Sequence, residues 1–230
     1  MNALESDAPL IVYIDIKSPY AFAAIRPTMA LEKSLDMRFD WRPLTLDIPS
    51  YLGSARKSEG KLIESNRSVS QWQRVKYAYR DARRYVERQG YILKGTEKIW
   101  DSSIANIAIL WAMQTGRDRL GAYLEAVYPP FWRRALDIEN IAVVEACLEQ
   151  AGINSDGFAA FQQGEGRARH DALQAQLHLS GIYGVPTYVF NGTILFGREH
   201  LPYVRWHLTG REGPAPDIAY EIDVPETQRC

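Results

Sequence analysis

The sequence has few cysteines and almost no net charge. Only two cysteines, Cys147 and Cys230, occur among 230 residues, and neither belongs to a C-x-x-C pair. Two cysteines are too few for the disulfide framework of a small secreted domain or for a thiolate metal site. The 27 basic and 28 acidic residues give a formal charge of −1. Because no overall positive charge attracts nucleic acid or an anionic membrane, we expect neither as a partner.

Metal-ligand spacing and targeting segments are missing as well. Four histidines occur, none at the i, i+4 spacing by which one helical face presents two ligands to a metal: His170, His178, His200 and His207. We therefore expect no metal site. The first residues are acidic where a signal peptide needs basic ones, and Asp15 interrupts the apolar run over residues 10–16. We expect a cytoplasmic protein without a membrane-spanning segment.

The composition is that of an ordinary globular protein. Hydrophobic residues make up 46% of the chain and charged residues 24%, which excludes a disordered, collagen-like or coiled-coil chain. A length of 230 residues suffices for one large or two small domains with a sizeable buried core.

The first segment predicts a β-α-β unit. Residues 10–16 are mostly β-branched or aromatic and are followed by Ser18 and Pro19, which indicates a buried strand that ends at a turn. Apolar residues then recur at helical spacing, and residues 37–42 alternate between apolar and polar. Residues 45–60 are rich in proline, glycine and serine, so we predict an irregular loop there.

The rest of the chain predicts a helical block followed by a hairpin. Apolar residues at helical spacing indicate helices within residues 72–86, 104–111, 120–128, 141–148 and about 167–180. Two β-branched and aromatic runs then flank Asn191-Gly192, a strong hairpin signal because both turn positions require positive φ. A last helix is expected at about 200–208. The first strand-helix unit and the hairpin should share one sheet across the helical block.

Three separated positions could carry chemistry, and each also has a purely structural explanation. Ser18 before Pro19 is a preferred helix start, yet such a start also stabilises an anion, and its hydroxyl could donate to a thiolate. Pro186 after Val185 could simply begin an edge strand, or form a cis bond that leaves the Val185 backbone free to pair with an extended ligand. Glu199 favours the start of the last helix, and could equally bind an ammonium group.

Taken in this order and spacing, these positions identify a family resemblance that covers nearly the whole chain. Ser18-Pro19-Tyr20 after the first strand, a helical insertion, Gly184-Val185-Pro186-Thr187 and then Phe196-Gly197 resemble the DsbA-like thioredoxin superfamily. Within it, the sequence is similar to the branch of 2-hydroxychromene-2-carboxylate isomerases and kappa-class glutathione transferases.

The resemblance implies an α/β, thioredoxin-like (DsbA-like) fold with an inserted all-helical domain. The thioredoxin-like domain would be discontinuous, over residues 8–45 and 181–210. The inserted domain would cover residues 60–180, and residues 211–230, which are acidic and contain prolines, would form an extended tail. Relatives of this branch suggest a homodimer.

The resemblance also implies glutathione as the cofactor. Ser18 would stabilise the glutathione thiolate, with Tyr20, Val185 and Pro186 also contacting glutathione. Arg198 and Glu199 would face its γ-glutamyl end, where the family usually has a Ser-Asp or Asn-Asp pair. The expected function is a glutathione-dependent isomerase or transferase that acts on a conjugated, aromatic small molecule.

Two alternatives stay open. A thioredoxin-fold protein without C-x-x-C could be a non-catalytic module that binds peptides, and Cys147 or Cys230 could serve a thiol oxidoreductase. Lys17 and Trp72 are candidates for contact with the substrate, although tryptophans at helical spacing are also typical of a core. Residues 74–98 carry eight basic and three acidic side chains, which indicates either a solvated helix face or a surface that attracts an acidic substrate.

Overall fold

The computed structural model describes residues 2–216, and its centre is a four-stranded mixed sheet. The strands of the protein are β1 (Ile11–Ile14), β2 (Asp40–Pro43), β3 (Ala55–Ser58), β4 (Lys61–Ser65), β5 (Thr187–Phe190) and β6 (Thr193–Phe196). The central sheet has the order β2-β1-β5-β6, with β1 parallel to β2 and antiparallel to β5. The prediction that the two ends of the chain share a sheet is confirmed.

Helices cover the sheet and fill the middle of the chain. They are α1 (Pro19–Ser34), α2 (Ile48–Leu52), α3 (Val69–Arg88), α4 (Ser103–Thr115), α5 (Leu120–Trp132), α6 (Ile141–Gln150), α7 (Phe158–Gln163), α8 (Glu165–Leu179) and α9 (Leu201–Leu208). Short 3-10 turns at Arg117–Arg119 and Arg198–His200 precede α5 and α9. The helical spacing in the sequence thus predicted all but the short α2 and α7.

Local sequence explains how the strands are placed. All four residues of β1 are buried, as a β-branched and aromatic strand in the middle of a sheet requires. The turn between β5 and β6 has positive φ at both Asn191 (45°) and Gly192 (74°), which matches the right-handed twist of a tight hairpin.

The prediction of an irregular loop over residues 45–60 is wrong. This stretch contains α2 and β3, and β3 pairs antiparallel with β4. The hairpin turn places positive φ at Glu59 (51°) and Gly60 (78°), where glutamate gives a much weaker turn signal than asparagine. Every residue of β4 is exposed, so no alternation of apolar and polar residues marks the strand. The predicted insertion over residues 60–180 therefore begins with a strand rather than a helix.

The core connects the sheet to the helical block. Buried apolar side chains from β1, α1, α4 and α5 belong to one continuous cluster. Within it the Phe22 ring of α1 stacks on Tyr128 and Trp132 of α5, at centroid distances of 5.5 and 6.3 Å. The division into 8–45 with 181–210 and a separate 60–180 domain stays a prediction. Of the tail predicted over 211–230, only residues 211–216 lie within the described residues, and they form neither helix nor strand.

Candidate functional site

Ser18 lies at the first turn of α1, directly beside the loop that enters β5. Its hydroxyl caps the helix by accepting the Ala21 N–H at 3.2 Å, and Pro19 follows as the first helical residue. The Ser18 side chain is buried, and its Oγ approaches the Val185 carbonyl at 3.5 Å. Two residues that are 167 positions apart in sequence therefore face each other at the positive end of a 16-residue helix.

The loop opposite Ser18 contains a cis Val185–Pro186 peptide bond, one of the two alternatives that the sequence left open for Pro186. Hydrogen bonds hold this loop on both sides: Gly197 N–H donates to the Pro186 carbonyl at 3.0 Å, and the Thr187 hydroxyl donates to the Gly184 carbonyl at 2.8 Å. The loop is thereby fixed to the turn between β6 and the last helix.

A cavity of about 530 Å³ opens over Ser18 and Val185. Its walls are mainly apolar and aromatic: Leu46, Ile48, Tyr51, Leu52, Val75, Tyr79, Ile99, Trp100, Tyr183 and Phe196. Among residues 2–216, the charged residues that line it are cationic, namely Lys17, Arg67 and Lys98. Such a pocket, which we call the main cavity, suits a small apolar ligand that carries negative charge.

A recess of about 350 Å³ adjoins the main cavity and shares Tyr20, Val185 and Phe196 with it. It contains two carboxylates, Asp81 and Glu199, together with the Arg198 guanidinium. Arg198 stacks on the Tyr85 ring, 3.5 Å from its centroid, which holds the cation in place. Burial and the nearby Asp81 carboxylate raise the pKa of Tyr20. Tyr20 therefore stays a neutral phenol that can donate a hydrogen bond.

A buried carboxylate, that of Asp15, anchors the loop before Ser18 by hydrogen bonds. Asp15, just after β1, is completely buried, and within residues 2–216 no cationic side chain lies within ion-pair distance of it. Its oxygens instead accept from the Lys17 and Leu46 N–H groups at 3.3 and 2.9 Å, from the Ser102 hydroxyl at 2.5 Å and from the Asn106 amide at 3.0 Å. These donors come from two cavity-lining loops and from α4, so the carboxylate joins all three.

The network continues from Asn106 into α8. The Asn106 amide donates to the Thr45 hydroxyl at 2.7 Å, which contacts His170 Nε2 at 2.8 Å. The other ring nitrogen of His170 lies 2.8 Å from the Asp171 carboxylate. Burial lowers the pKa of His170, and the Asp171 contact only partly opposes this shift. The imidazole is therefore neutral at neutral pH.

The structure brings most of the residues proposed from sequence together. Lys17, Ser18, Tyr20 and Val185 line the main cavity, and Pro186, Arg198 and Glu199 line the adjoining recess. Trp72 instead lies in a third chamber, which shares a wall with the main cavity on the side of α3.

Sequence reasoning missed several side chains of this region. The network residues Asp15, Asn106 and Thr45 carry no motif, because they come from separate elements. The aromatic wall residue Tyr51 lies on the short helix α2, within the stretch predicted as a loop, and Tyr183 lies in an irregular segment, so periodicity gives no signal for either.

The thiol chemistry available from the chain itself is limited. Position 18 is a serine and position 21 an alanine, so the first turn of α1 carries no C-x-x-C pair. Cys147 is a free, buried cysteine on α6, and burial raises the pKa of its thiol, which lowers its reactivity. Cys230 lies outside the described residues. Among residues 2–216, no three His, Cys, Asp or Glu side chains converge as a metal site requires. None of the helices in that range is long and apolar enough to cross a bilayer.

The architecture described above matches a known family. A sequence model of the DSBA-like thioredoxin domain matches residues 9–209. The chain belongs to the DsbA-like thioredoxin family. The predicted fold class is thereby confirmed, with helical segments added to a thioredoxin-like core.

Two of the similar proteins are named for the branch that the sequence resembles, and a third shares the fold. The chain is 24% identical to a 2-hydroxychromene-2-carboxylate isomerase of Sphingobium xenophagum over 197 residues, 85% of this chain and 95% of the relative. A solved 2-hydroxychromene-2-carboxylate isomerase superposes with a TM-score of 0.66 at 16% identity, over 88% of this chain and 94% of the other. The cytosolic disulfide reductase DsbM of Pseudomonas aeruginosa, solved with GSH, gives 0.56 at 15% identity, over 88% and 98%.

Proposed function

We propose that this DsbA-family protein is a glutathione-dependent isomerase or transferase of small conjugated, aromatic molecules, with Ser18 stabilising the glutathione thiolate. The observation that carries the proposal is the position of Ser18. A buried hydroxyl stands at a helix N-terminus opposite a cis-proline loop, over an apolar cavity and without a cysteine at position 18 or 21. A site of this kind can stabilise a thiolate that the chain does not itself supply.

The residues around Ser18 fit glutathione. The sulfur would lie beside Ser18 Oγ, and the cysteinyl backbone would pair with Val185. The γ-glutamyl end carries one ammonium and one carboxylate, which match Glu199 and Arg198 in the adjoining recess. Tyr20 lines both pockets, and its neutral hydroxyl can donate to the ligand between them. The solved relative with GSH, in the same fold, also supports this assignment.

The proposed reaction needs a nucleophile that is easily added and easily expelled. When bound, glutathione would supply a thiolate that adds reversibly to the conjugated substrate, so that a double bond gains single-bond character, rotates and re-forms. Ser18 Oγ and the α1 N-terminus would hold the negative charge on sulfur before addition and after expulsion. The Asp15 network would keep the Ser18 loop in position during both steps, and the apolar walls would exclude water from the substrate.

The cavity also favours one substrate class. Tyr79 and Trp100 offer aromatic walls. Two cations, Lys17 and Arg67, line the cavity without an ion-pair partner among residues 2–216, whereas Lys98 pairs with Glu139. We therefore propose an aromatic substrate that carries a negative charge, in line with the relative that is named for 2-hydroxychromene-2-carboxylate.

The function is tested by following isomerisation of 2-hydroxychromene-2-carboxylate with and without glutathione. We expect turnover only with glutathione, and none with S-methylglutathione, which has no thiol to ionise. Isomerisation that proceeds equally without any thiol would contradict the proposal. Tight binding of an extended peptide, unaffected by glutathione, would instead support the alternative of a non-catalytic peptide-binding module.

Location and assembly are proposals of the same kind. A cytoplasmic homodimer agrees with the branch of the family that the sequence resembles, and cytoplasm is where reduced glutathione is abundant. Analytical ultracentrifugation of the purified chain tests the dimer: we expect twice the chain mass of 26.2 kDa, and a single monomeric species at micromolar concentration would contradict it.

A further inference from the structure

A third chamber, of about 340 Å³, lies between β3, α3 and the segment over residues 95–99. It shares Arg67, Tyr79 and Lys98 with the main cavity, so the two spaces are neighbours. Among residues 2–216, one carboxylate, that of Glu97, and six cationic side chains line it, so we call it the basic chamber; the cations are Lys57, Arg67, Lys76, Arg83, Lys98 and Arg134.

Two of these cations are neutralised by carboxylates. Lys98 forms an ion pair with Glu139 at 2.5 Å, and Arg134 pairs with Glu97 at 3.1 Å. Within residues 2–216, the other four cations have no carboxylate within ion-pair distance, namely Lys57, Arg67, Lys76 and Arg83. The basic chamber therefore holds about four positive charges that nearby carboxylates leave unbalanced.

The two arginines are fixed in place by the backbone. Arg67 donates its Nε–H to the Gly53 carbonyl at 3.2 Å, and Arg83 donates its Nε–H to the Leu93 carbonyl at 2.9 Å. Their terminal amino groups have no hydrogen-bond partner in the described part of the chain. The Arg67 guanidinium also packs over the Trp72 ring, 4.9 Å from its centroid. The guanidinium groups of Arg67 and Arg83 are thus oriented before any ligand binds, which lowers the entropic cost of binding an anion.

A solvated helix face does not account for this arrangement. Free lysines and arginines on a helix separate from one another in water, whereas here cations from a strand, a helix and a loop converge on one concave space. Burial lowers the pKa of Arg67, yet a guanidinium remains charged at neutral pH. Convergent cations, of which the two arginines are fixed by the backbone, raise the local concentration of anions.

We infer that the basic chamber binds a multiply charged anion of the phosphate class, carried on a ligand whose apolar part reaches the main cavity. A single carboxylate would neutralise only one of four charges. A phosphate or diphosphate group presents several oxygens in a compact volume and accepts from two guanidinium forks and two ammonium groups together. Ser18 does not line the basic chamber, although it lines the main cavity that the apolar part of the ligand would enter. The inference does not depend on the proposed use of glutathione.

The test uses inorganic pyrophosphate as the probe, with isothermal titration calorimetry on the full-length protein. Lys57→Gln and Lys76→Gln should each weaken binding about tenfold, the usual loss for a charge-assisted contact. The matched controls are Arg56→Gln on β3 and Arg80→Gln on α3, which remove the same charge from side chains outside the chamber. Equal weakening by test and control variants, or no binding by the wild type, would overturn the inference.

Two further measurements locate the ligand and separate its sources. Trp72 is the tryptophan that lines the chamber, so pyrophosphate should change the tryptophan fluorescence of the protein. Trp72→Phe should abolish that change. Phenyl phosphate should bind at least tenfold more tightly than inorganic phosphate, because its ring can enter the main cavity. Equal affinities for phenyl phosphate and inorganic phosphate would overturn the inference that an apolar part of the ligand reaches the main cavity. Tighter binding of the dicarboxylate malonate than of pyrophosphate would overturn the inference that the anion belongs to the phosphate class.

Discussion

Replacing Ser18 by alanine should raise the pKa of bound glutathione. Lowering a thiol pKa from about 8.5 by about two units requires about 2.7 kcal/mol of preferential stabilisation of the thiolate. The α1 terminus can supply about 0.3–2 kcal/mol and the Ser18 hydroxyl about 1.5–3 kcal/mol. Ser18→Ala removes the hydroxyl but leaves the helix, so the pKa of the bound thiol should rise by about one to two units.

The assay is a pH titration of the thiolate ultraviolet absorbance with the protein saturated by glutathione. Ser34→Ala is the matched control, because Ser34 lies at the opposite end of α1 and its hydroxyl donates to the Leu31 carbonyl. It should leave the thiol pKa unchanged. Since the Ser18 hydroxyl also caps α1, Ser18→Ala should cost about 1 kcal/mol of unfolding free energy, which urea denaturation measures separately. An unchanged thiol pKa in a folded Ser18→Ala variant would refute the assigned role.

Three further predictions concern the surroundings of the site. In Gly184→Ala the new Cβ would lie 2.5 Å from the Phe196 ring, so the half-exposed ring should move. Calorimetry should then show weaker binding of aromatic ligands with little loss of stability. Unchanged affinity would contradict the assignment of Phe196 to the wall of the main cavity. Ser102→Ala removes a donor to the buried Asp15 carboxylate, so urea denaturation should show a loss of about 1–3 kcal/mol, and a loss below about 0.5 kcal/mol would contradict the network. Because burial lowers the pKa of His170, the unfolded chain binds a proton before the folded protein does as pH falls through about 6.5. The unfolding free energy should therefore decline as pH falls below about 6.5, and an equally steep decline in His170→Gln would refute this assignment.

Local patterns predicted much of the fold. The buried strand before Ser18, the capped helix after it and the Asn191-Gly192 hairpin each depend on residues adjacent in sequence, and all three are confirmed. The order of motifs predicted the family. The hairpin of β3 and β4 was not predicted from the sequence, because β4 is exposed and the turn begins with Glu59.

The site was predictable only in part, for a physical reason. Ser18, Val185 and Glu199 stand at element boundaries, where capping, cis-proline and helix-start signals are local. The four donors around Asp15 come from separate segments, and nothing in the sequence says that Asn106 would lie beside it. The basic chamber likewise depends on the fact that β3, which carries Lys57, and α3 line the same space, which is a tertiary property.

The most direct test of the proposed thiolate site is the number of protons released when glutathione binds. Titration calorimetry at pH 7 in buffers of different ionisation enthalpy gives this number. A thiol whose pKa falls from about 8.5 to about 6.5 should release about 0.7 proton on binding, and S-methylglutathione should release none. Binding of glutathione without proton release would contradict the claim that Ser18 and its helix stabilise a thiolate.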